Sequence, residues 1–263
     1  MNVSVHNASI YADVQGSGEP TLFLHGNPDS AMLWRGVINE VQSRLQCFAP
    51  DLPGFGRSEL PSDLKFSLEE MAQFIDDLIS ALKISGPINL VLHDFGGIYG
   101  LAWAVKHPQR VRRMAIMNTN FFSDYKWHIW GKIWRTWPLG ELSMATLNWP
   151  AFYLSMHKAS PQLTREHLRE TYELFTPAVR KMVLKLYRAT EPKNYEGWQD
   201  QLLQITRKVP TCVLWGDRDP YISPAFAERF SAQKVWHFPG NGHWLPAESP
   251  RDVAARLLEF FIQ

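Results

Sequence analysis

The 263 residues suffice for one domain with a sizeable insertion, and their formal net charge of +1, without a basic run, gives no field that would attract a nucleic acid. The first 14 residues lack the apolar segment of a signal peptide, and no apolar stretch approaches the ~20 residues of a membrane span. We therefore expect no membrane partner. Cys47 and Cys212 lie in apolar runs typical of buried free thiols, which indicates a reducing compartment, and we expect a cytoplasmic protein.

Strand-like and helix-like runs alternate over the first 120 residues. An opening hairpin at residues 3–5 and 10–14 is followed by apolar runs that are too short for helices and by longer runs with helical spacing. Alternation of this kind predicts an α/β fold with a mostly parallel sheet covered by helices on both faces. The further predicted strands are 21–24, 46–49, 88–92 and 111–117, and the predicted helices are 34–45, 68–82 and 98–107.

The alternation stops between residues 121 and 204 and resumes afterwards. We predict a helical cap over 121–204, inserted into a core domain formed by residues 1–120 and 205–263, with helices at 125–136, 164–174 and 177–189. Most aromatic residues of the cap should form its own core, and a few should line an apolar cavity between cap and sheet. The tryptophans concerned are Trp127, Trp130, Trp134, Trp137, Trp149 and Trp198. The resumed pattern predicts strands at 210–215 and 234–238 and helices at 224–231 and 250–262.

The segment His93-Asp94-Phe95-Gly96-Gly97 joins the buried strand at 88–92 to the helix after it, so Asp94 lies at the tip of a tight turn. A carboxylate is ionised at neutral pH, and the N-terminus of the next helix favours its charge. Its attack on an ester would give an anhydride, whereas attack on a saturated carbon gives an alkyl ester that water cleaves. Asp94 therefore indicates the opening of a carbon–halogen bond or an epoxide. The alternative interpretation is that Asp94 only caps the helix.

Two later motifs supply partners for this aspartate. In Gly216-Asp217-Arg218-Asp219-Pro220, which follows a strand, we choose Asp219 over Asp217 as the acid that orients a histidine. The alternative interpretation is that both are acids of a surface turn. The loop Gly240-Asn241-Gly242-His243 follows the last strand and delivers His243 as a general base. The order nucleophile, acid, base is then Asp94, Asp219, His243. We interpret the other histidines of the chain as structural or surface residues: His6, His107, His128, His157, His167 and His237.

The segment His25-Gly26-Asn27-Pro28 follows the strand at 21–24. Backbone N–H groups of this turn and of Phe95, directly after the nucleophile, should form an oxyanion hole. The Asn27 side chain should donate to a leaving halide, unless it only holds the turn. We interpret His25 and His93 as residues that brace the loops.

The assembled motifs resemble the α/β-hydrolase superfamily over nearly the whole chain. The aspartate at position 94 is similar to the nucleophile of its haloalkane dehalogenase and epoxide hydrolase branches. Asn27 between Gly26 and Pro28, and Leu92 two residues before Asp94, favour the dehalogenases, because epoxide hydrolases tend to carry an aromatic residue and a glycine there. The resemblance implies that Asp94 displaces halide, that Asp219 and His243 activate water, and that Asn27 holds the halide.

One position departs from the dehalogenase pattern, because Phe95 stands where a tryptophan would donate to the halide. Such a bond is worth roughly 1.5–3 kcal/mol, or about 10- to 100-fold in rate, and a cap tryptophan would have to replace it. The alternative function is an epoxide hydrolase, whose cap tyrosines donate to the opening oxygen. A non-catalytic binding protein on this fold is the third interpretation. We expect a small apolar substrate, water and a halide ion as ligands, and no cofactor or metal. The candidate tyrosines are Tyr125, Tyr153, Tyr172, Tyr187 and Tyr195.

Overall fold

A computed structural model describes residues 1–262, so Gln263, the last residue of the predicted core domain, lies outside the described residues. Within that range the strands form one sheet in the order β1-β2-β4-β3-β5-β6-β7-β8. The first two strand pairs are antiparallel, and all pairs from β4 to β8 are parallel. The strands are β1 (Asn2–Val5), β2 (Ala8–Gln15), β3 (Glu19–Leu24), β4 (Leu45–Pro50), β5 (Ile88–His93), β6 (Val111–Met117), β7 (Thr211–Gly216) and β8 (Lys234–Phe238).

Every residue of β5 and of β7 is buried, as expected for strands covered on both faces. The helices that cover them show the helical spacing of apolar residues seen in the sequence, and no helix of the described chain is both long and apolar enough to cross a bilayer. The α-helices are α1 (Arg35–Val41), α2 (Leu68–Ala81), α3 (Asp94–Lys106), α4 (Ile129–Arg135), α5 (Leu139–Thr146), α6 (Trp149–Ala159), α7 (Arg165–Leu174), α8 (Pro177–Ala189), α9 (Trp198–Thr206), α10 (Leu245–Glu248) and α11 (Pro250–Phe261).

Two predicted helices differ in kind or length. The helix predicted at 34–45 is split into a 3-10 turn at Ala31–Trp34 and α1, and Leu45 already belongs to β4. Val41 and Leu45 have the spacing of one helical face, but Leu45 is buried in the sheet instead. The helix predicted at 224–231 is a 3-10 helix over Pro224–Phe230.

Six α-helices, α4 to α9, and no strand occupy the described chain between β6 and β7. The sequence predicts α7 and α8 closely and α4 approximately, but it misses α5, α6 and α9. We keep the name cap for residues 121–204; the division of the chain into this cap and a core domain stays a prediction.

Candidate active site

The candidate residues all follow strands of the parallel part of the sheet. Asn27 follows β3, Asp94 follows β5, Asp219 follows β7 and His243 follows β8. The strand order reverses beside β3, whose neighbours are β4 on one side and β5 on the other. Carboxyl ends of parallel strands lie at one edge of the sheet, and such a reversal opens a crevice there. The topology therefore brings residues that are far apart in sequence to one place.

The backbone of Asp94 has a φ of +48°, which a residue other than glycine rarely adopts. The strained turn lifts the carboxylate out of the sheet edge, and the Asn27 N–H donates to its Oδ1 at 2.8 Å. A Cβ on Gly26 would lie 2.2 Å from that same oxygen, so only glycine lets the β3 loop approach the carboxylate this closely. The turn that carries Asp94 and the loop after β3 therefore hold each other in position.

The helix-cap interpretation of Asp94 does not fit this geometry. Helix α3 begins at Asp94 itself, and the residue before it, His93, makes no side-chain cap bond. The Asp94 carboxylate accepts from the β3 loop rather than from the first turn of α3. Its side chain is 13% exposed, in contrast to the fully buried Asp219 side chain.

His243 lies between the two aspartates. Its Nδ1 is 2.7 Å from Asp219 Oδ2, and its Nε2 is 3.6 Å from Asp94 Oδ2. The structure thus brings together Asp94, Asp219 and His243, the three residues that the motifs single out. The other candidate acid, Asp217, pairs instead with the surface residue His237.

Asp219 is held in place from three directions. The backbone N–H groups of Tyr221 and Ile222 donate to its Oδ1 at 2.8 and 3.1 Å, and Asn118 Nδ2 donates to its Oδ2 at 2.9 Å. Asn118 also exchanges hydrogen bonds with the backbone of Gly216, which ties the end of β6 to the end of β7. Asn118 therefore orients the acid.

The charges that meet at this site shift the pKa of His243 and that of Asp94. Burial alone would lower the pKa of His243, but the charges and hydrogen bonds of Asp219 and Asp94 outweigh burial and raise it to about 10. Burial would raise the pKa of Asp94, but the hydrogen bond and charge of His243 outweigh it and lower the pKa. At neutral pH an imidazolium therefore lies between two carboxylates.

Because the pKa of His243 is raised in the folded state, its protonation stabilises the fold fully below the unfolded value near 6.5. That contribution is lost as pH rises towards about 10. We expect the melting temperature of the wild type to fall more steeply between these two pH values than that of His243→Gln. Thermal unfolding of both proteins across this range measures the difference. Parallel curves would show that His243 is not held as a cation.

His25 and His93 brace the loops around the site. The Leu52 N–H donates to His25 Nε2 at 2.8 Å, so the proton is on Nδ1, which lies 2.8 Å from the Gly26 carbonyl. His93 Nε2 lies 2.8 Å from the carbonyl oxygen of His243, and burial lowers the pKa of His93 to about 4. Both imidazoles are thus neutral links between backbone segments, as their sequence interpretation proposed.

A cavity of about 710 Å³ lies between the sheet edge and the cap. Asp94, His243, Asn27 and Phe95 line it, and most of its other walls are apolar or aromatic. Of the six cap tryptophans named from the sequence, three contribute to the walls, as do three of the five tyrosines. These are Trp127, Trp130 and Trp134, with Tyr125, Tyr187 and Tyr195.

Two cap residues in the cavity wall carry N–H groups that matter for chemistry. The Gly131 N–H donates to His128 Nδ1 at 3.2 Å, and because a backbone N–H can only donate, the neutral ring carries its proton on Nε2. Burial lowers the pKa of His128 to about 4, so the ring stays neutral. The indole Nε1 of Trp127 is buried without a partner within the described chain, and the Trp127 ring stacks on Phe95.

The sequence interpretation missed His128 and Asn118 as site residues. The sequence indicates only a structural role for His128, because a histidine that belongs to no recognisable motif is usually structural. Trp127 lies ten residues after Met117, the end of β6, and only the position of α4 over the sheet edge brings Trp127 and His128 to Asp94. Asn118 directly follows β6, and its place at a strand end is the signal that could have found it.

The sequence profile of the alpha/beta hydrolase fold family matches residues 19–250. Among curated proteins, a cis-3-alkyl-4-alkyloxetan-2-one decarboxylase of Shewanella oneidensis is 27% identical, covering 95% of this chain and 84% of its own. Haloalkane dehalogenase 2 of Mycobacterium tuberculosis is also 27% identical, covering 95% and 90%. Among solved structures, the epoxide hydrolase CorEH superposes with a TM-score of 0.84 at 22% identity, covering 100% of this chain and 98% of its own, which shows the shared fold.

Proposed function

The chain belongs to the alpha/beta hydrolase fold family, and from that premise we propose that it is a hydrolase of the haloalkane dehalogenase and epoxide hydrolase type that attacks a saturated carbon through Asp94. The observation that carries the proposal is a carboxylate presented on a strained turn, 3.6 Å from His243 Nε2, at the wall of an apolar cavity. Our first assignment within this type is a haloalkane dehalogenase.

In the first step, one oxygen of Asp94 attacks the carbon that bears the leaving group. The new carbon–oxygen bond forms as the carbon–halogen bond breaks, and the halide leaves with the electron pair. The product is an alkyl ester of Asp94. Oδ2 is the candidate attacking atom, because Oδ1 is already bound by the Asn27 N–H.

In the second step, His243 takes a proton from water, and the water oxygen adds to the ester carbon of Asp94. Negative charge develops on Oδ1, which keeps its hydrogen bond from the Asn27 N–H. When this intermediate collapses, the bond between the acyl carbon and the alkoxy oxygen breaks. The alkoxide takes the remaining proton of the added water, which gives the alcohol and the free carboxylate, and His243 keeps the first proton until it passes to solvent. Asp219 holds the imidazole through Nδ1 and stabilises its positive charge.

Esterification also changes the pKa of the base. The carboxylate of Asp94 is one of the two charges that raise the pKa of His243. When Asp94 becomes a neutral ester, that contribution disappears and the pKa of His243 falls. The first step thus prepares the imidazole for the second.

The leaving halide needs donors, and Phe95 supplies none. Asn27 and Trp127 are residues of the cavity wall, and we assign their side-chain N–H groups as its donors; the Trp127 indole N–H is buried without a partner within the described chain. Trp127 stacks on Phe95 at a ring separation of 6.3 Å and therefore lies beside the position from which the usual tryptophan would donate. The presence of these two side-chain donors in the cavity wall supports the dehalogenase assignment.

A specific observation also supports the epoxide hydrolase alternative. His128, with its proton on Nε2, and Tyr187 both belong to the cap and line the cavity, and their rings lie 6.0 Å apart. The burial of Tyr187 raises its pKa, so its hydroxyl stays protonated and can donate to an opening epoxide oxygen. Three of the other predicted tyrosines fit less well, because the Tyr125 hydroxyl donates to the Tyr221 carbonyl, and neither Tyr153 nor Tyr172 lines the cavity.

Turnover assays with three electrophiles separate these functions. A 1-bromoalkane, a terminal epoxide and a dialkyl oxetan-2-one, the ring type named for one relative, each carry a leaving group on a saturated carbon. Bromide release without epoxide hydration supports the dehalogenase, and the reverse supports the epoxide hydrolase. A protein that turns over none of the three and forms no adduct on Asp94 would be the binding protein of the third interpretation.

Phe95→Trp tests the position of the halide. An added indole N–H next to the nucleophile should tighten bromide binding by about 10- to 100-fold, the value of one hydrogen bond to a charged partner. Bromide titration followed by tryptophan fluorescence gives the affinity, and Phe95→Leu, which adds no donor, is the matched control. Equal bromide affinity in the tryptophan variant and the wild type would mean that the halide binds elsewhere.

The cytoplasmic location stays a prediction from the sequence.

A further inference from the structure

A buried ion pair links the cap to the loop that carries Asn27. Asp29 lies two residues after Asn27, and its side chain is fully buried. Its Oδ1 accepts from the Ser30 N–H at 2.8 Å, and its Oδ2 lies 3.1 Å from Nε2 of His167. His167 belongs to helix α7 of the cap, and its side chain is only 12% exposed.

We propose that His167 is a positioning residue, through which the cap fixes the loop of residues 26–30 and thereby the contact between Asn27 and Asp94. The catalytic consequence rests on the proposed function, whereas the mechanical consequence does not. His167 touches neither the cavity nor Asp94, so it acts through Asp29 and the loop.

The loop transmits a displacement of Asp29 to the nucleophile over a short path. The Asp29 N–H donates to the Gly26 carbonyl at 3.1 Å, which closes the turn around Asn27 and Pro28. The Asn27 N–H is the group that binds Asp94 Oδ1, and the Gly26 Cα lies so close to Asp94 that no side chain fits between them. Movement of the turn therefore changes the geometry of the attacking carboxylate and of the Asn27 amide together.

The charges around the pair explain why His167 is needed. Burial would raise the pKa of Asp29, but the charge and hydrogen bond of His167 outweigh it and lower the pKa. The other ionisable groups that face Asp29 are His25 and His93. Burial lowers the pKa of both, and the nitrogens of His25 are used by Gly26 and Leu52. Within residues 1–262, His167 is thus the one side chain that forms an ion pair with Asp29. Without it, an ionised carboxylate would stay buried and unpaired, which is strongly destabilising.

His167 itself faces three charged groups. Burial would lower its pKa, but Asp29, with a smaller contribution from Glu170 on the same helix, raises it, while Arg35 of α1 opposes them. Glu170 and Arg35 form a second pair between the cap and the core at 3.1 Å. That pair is exposed, at 34% and 58% of the two side chains. Exposed pairs contribute little to stability, so Glu170 provides a matched control on the same helix.

The experiment compares His167→Gln and Glu170→Gln in the full chain, by hydrogen exchange of the Asn27 and Asp29 amides and by kcat. We expect His167→Gln to speed exchange at both amides and to lower kcat by about 10- to 100-fold, the order of magnitude that a small misplacement of a reacting group costs. Glu170→Gln should change neither. Adding Asp29→Asn to His167→Gln removes the unpaired buried charge, so the double variant should recover slow exchange and part of kcat. If His167→Gln alone folds poorly, the double variant still allows exchange at the two amides to be measured.

Exchange at Asn27 and Asp29 that is as slow in His167→Gln as in Glu170→Gln would overturn the proposal, and so would a double variant no better ordered than the single one. These exchange rates decide the question even if the wild type turns over no electrophile. Such a lack of turnover would count against the proposed function alone.

Discussion

Replacement of Asp94 by asparagine is expected to abolish turnover while the protein stays folded. Asparagine has the same shape, tolerates positive φ better than most residues, and can still accept the Asn27 N–H bond, but its amide oxygen does not displace a leaving group from carbon. The loss should be on the order of 10⁴-fold or more, as expected when a nucleophile is removed. Initial rates with the best electrophile and the melting temperature of the same sample measure the two effects.

The matched control is Asp217→Asn, in the loop after β7. Asp217 pairs with the surface residue His237 and lies outside the cavity wall, so its removal should leave the rate unchanged. An Asp94→Asn variant that keeps its activity would exclude Asp94 as the nucleophile. A variant that loses activity only because it unfolds would return Asp94 to a structural role.

Replacement of His243 by glutamine is expected to separate the two chemical steps. Asp94 still attacks, so one equivalent of halide should appear rapidly, but without a base the ester is not hydrolysed and the reaction then stops. Intact mass spectrometry should find the protein heavier by the alkyl group, and digestion should place the addition on the peptide with Asp94.

The control for this variant is His237→Gln, because His237 is the other histidine that pairs with an acid of the β7 loop. It should release halide continuously, like the wild type. Continuous turnover by His243→Gln would remove His243 as the base. Absence of both the burst and the adduct would show instead that His243 is needed for the first step.

The fold followed from the sequence because each strand of the sheet is a short apolar run bounded by turn residues. The run at 88–92 and its glycine-rich turn sufficed to place Asp94 at the end of a central strand, and the same reasoning placed Asp219 and His243 at the ends of β7 and β8. Residues that directly follow parallel strands converge through topology alone. Their mutual approach therefore needed no knowledge of side-chain packing.

The cap was less predictable for a physical reason. Its helices α5 and α6 begin next to Pro138 and Pro150. A proline inside a polar and aromatic stretch usually indicates that a helix is interrupted there, so the sequence pattern predicts no helix at either place. In the structure both prolines stand at the starts of helices, where proline is well tolerated. The contributions of His128 and His167 depend on where these helices lie over the sheet edge. A sequence pattern that repeats along one helix carries no information on that placement.

The most direct test of the central claim is a single turnover of excess wild-type enzyme in water enriched in ¹⁸O, with the preferred electrophile. If Asp94 forms an ester that water cleaves at the acyl carbon, the label enters the carboxylate of Asp94 and the alcohol released in that turnover carries unlabelled oxygen. Mass spectrometry of the peptide containing Asp94 should then show the gain of one ¹⁸O. A labelled alcohol together with an unlabelled Asp94 would contradict the account, because water itself would then have attacked the saturated carbon.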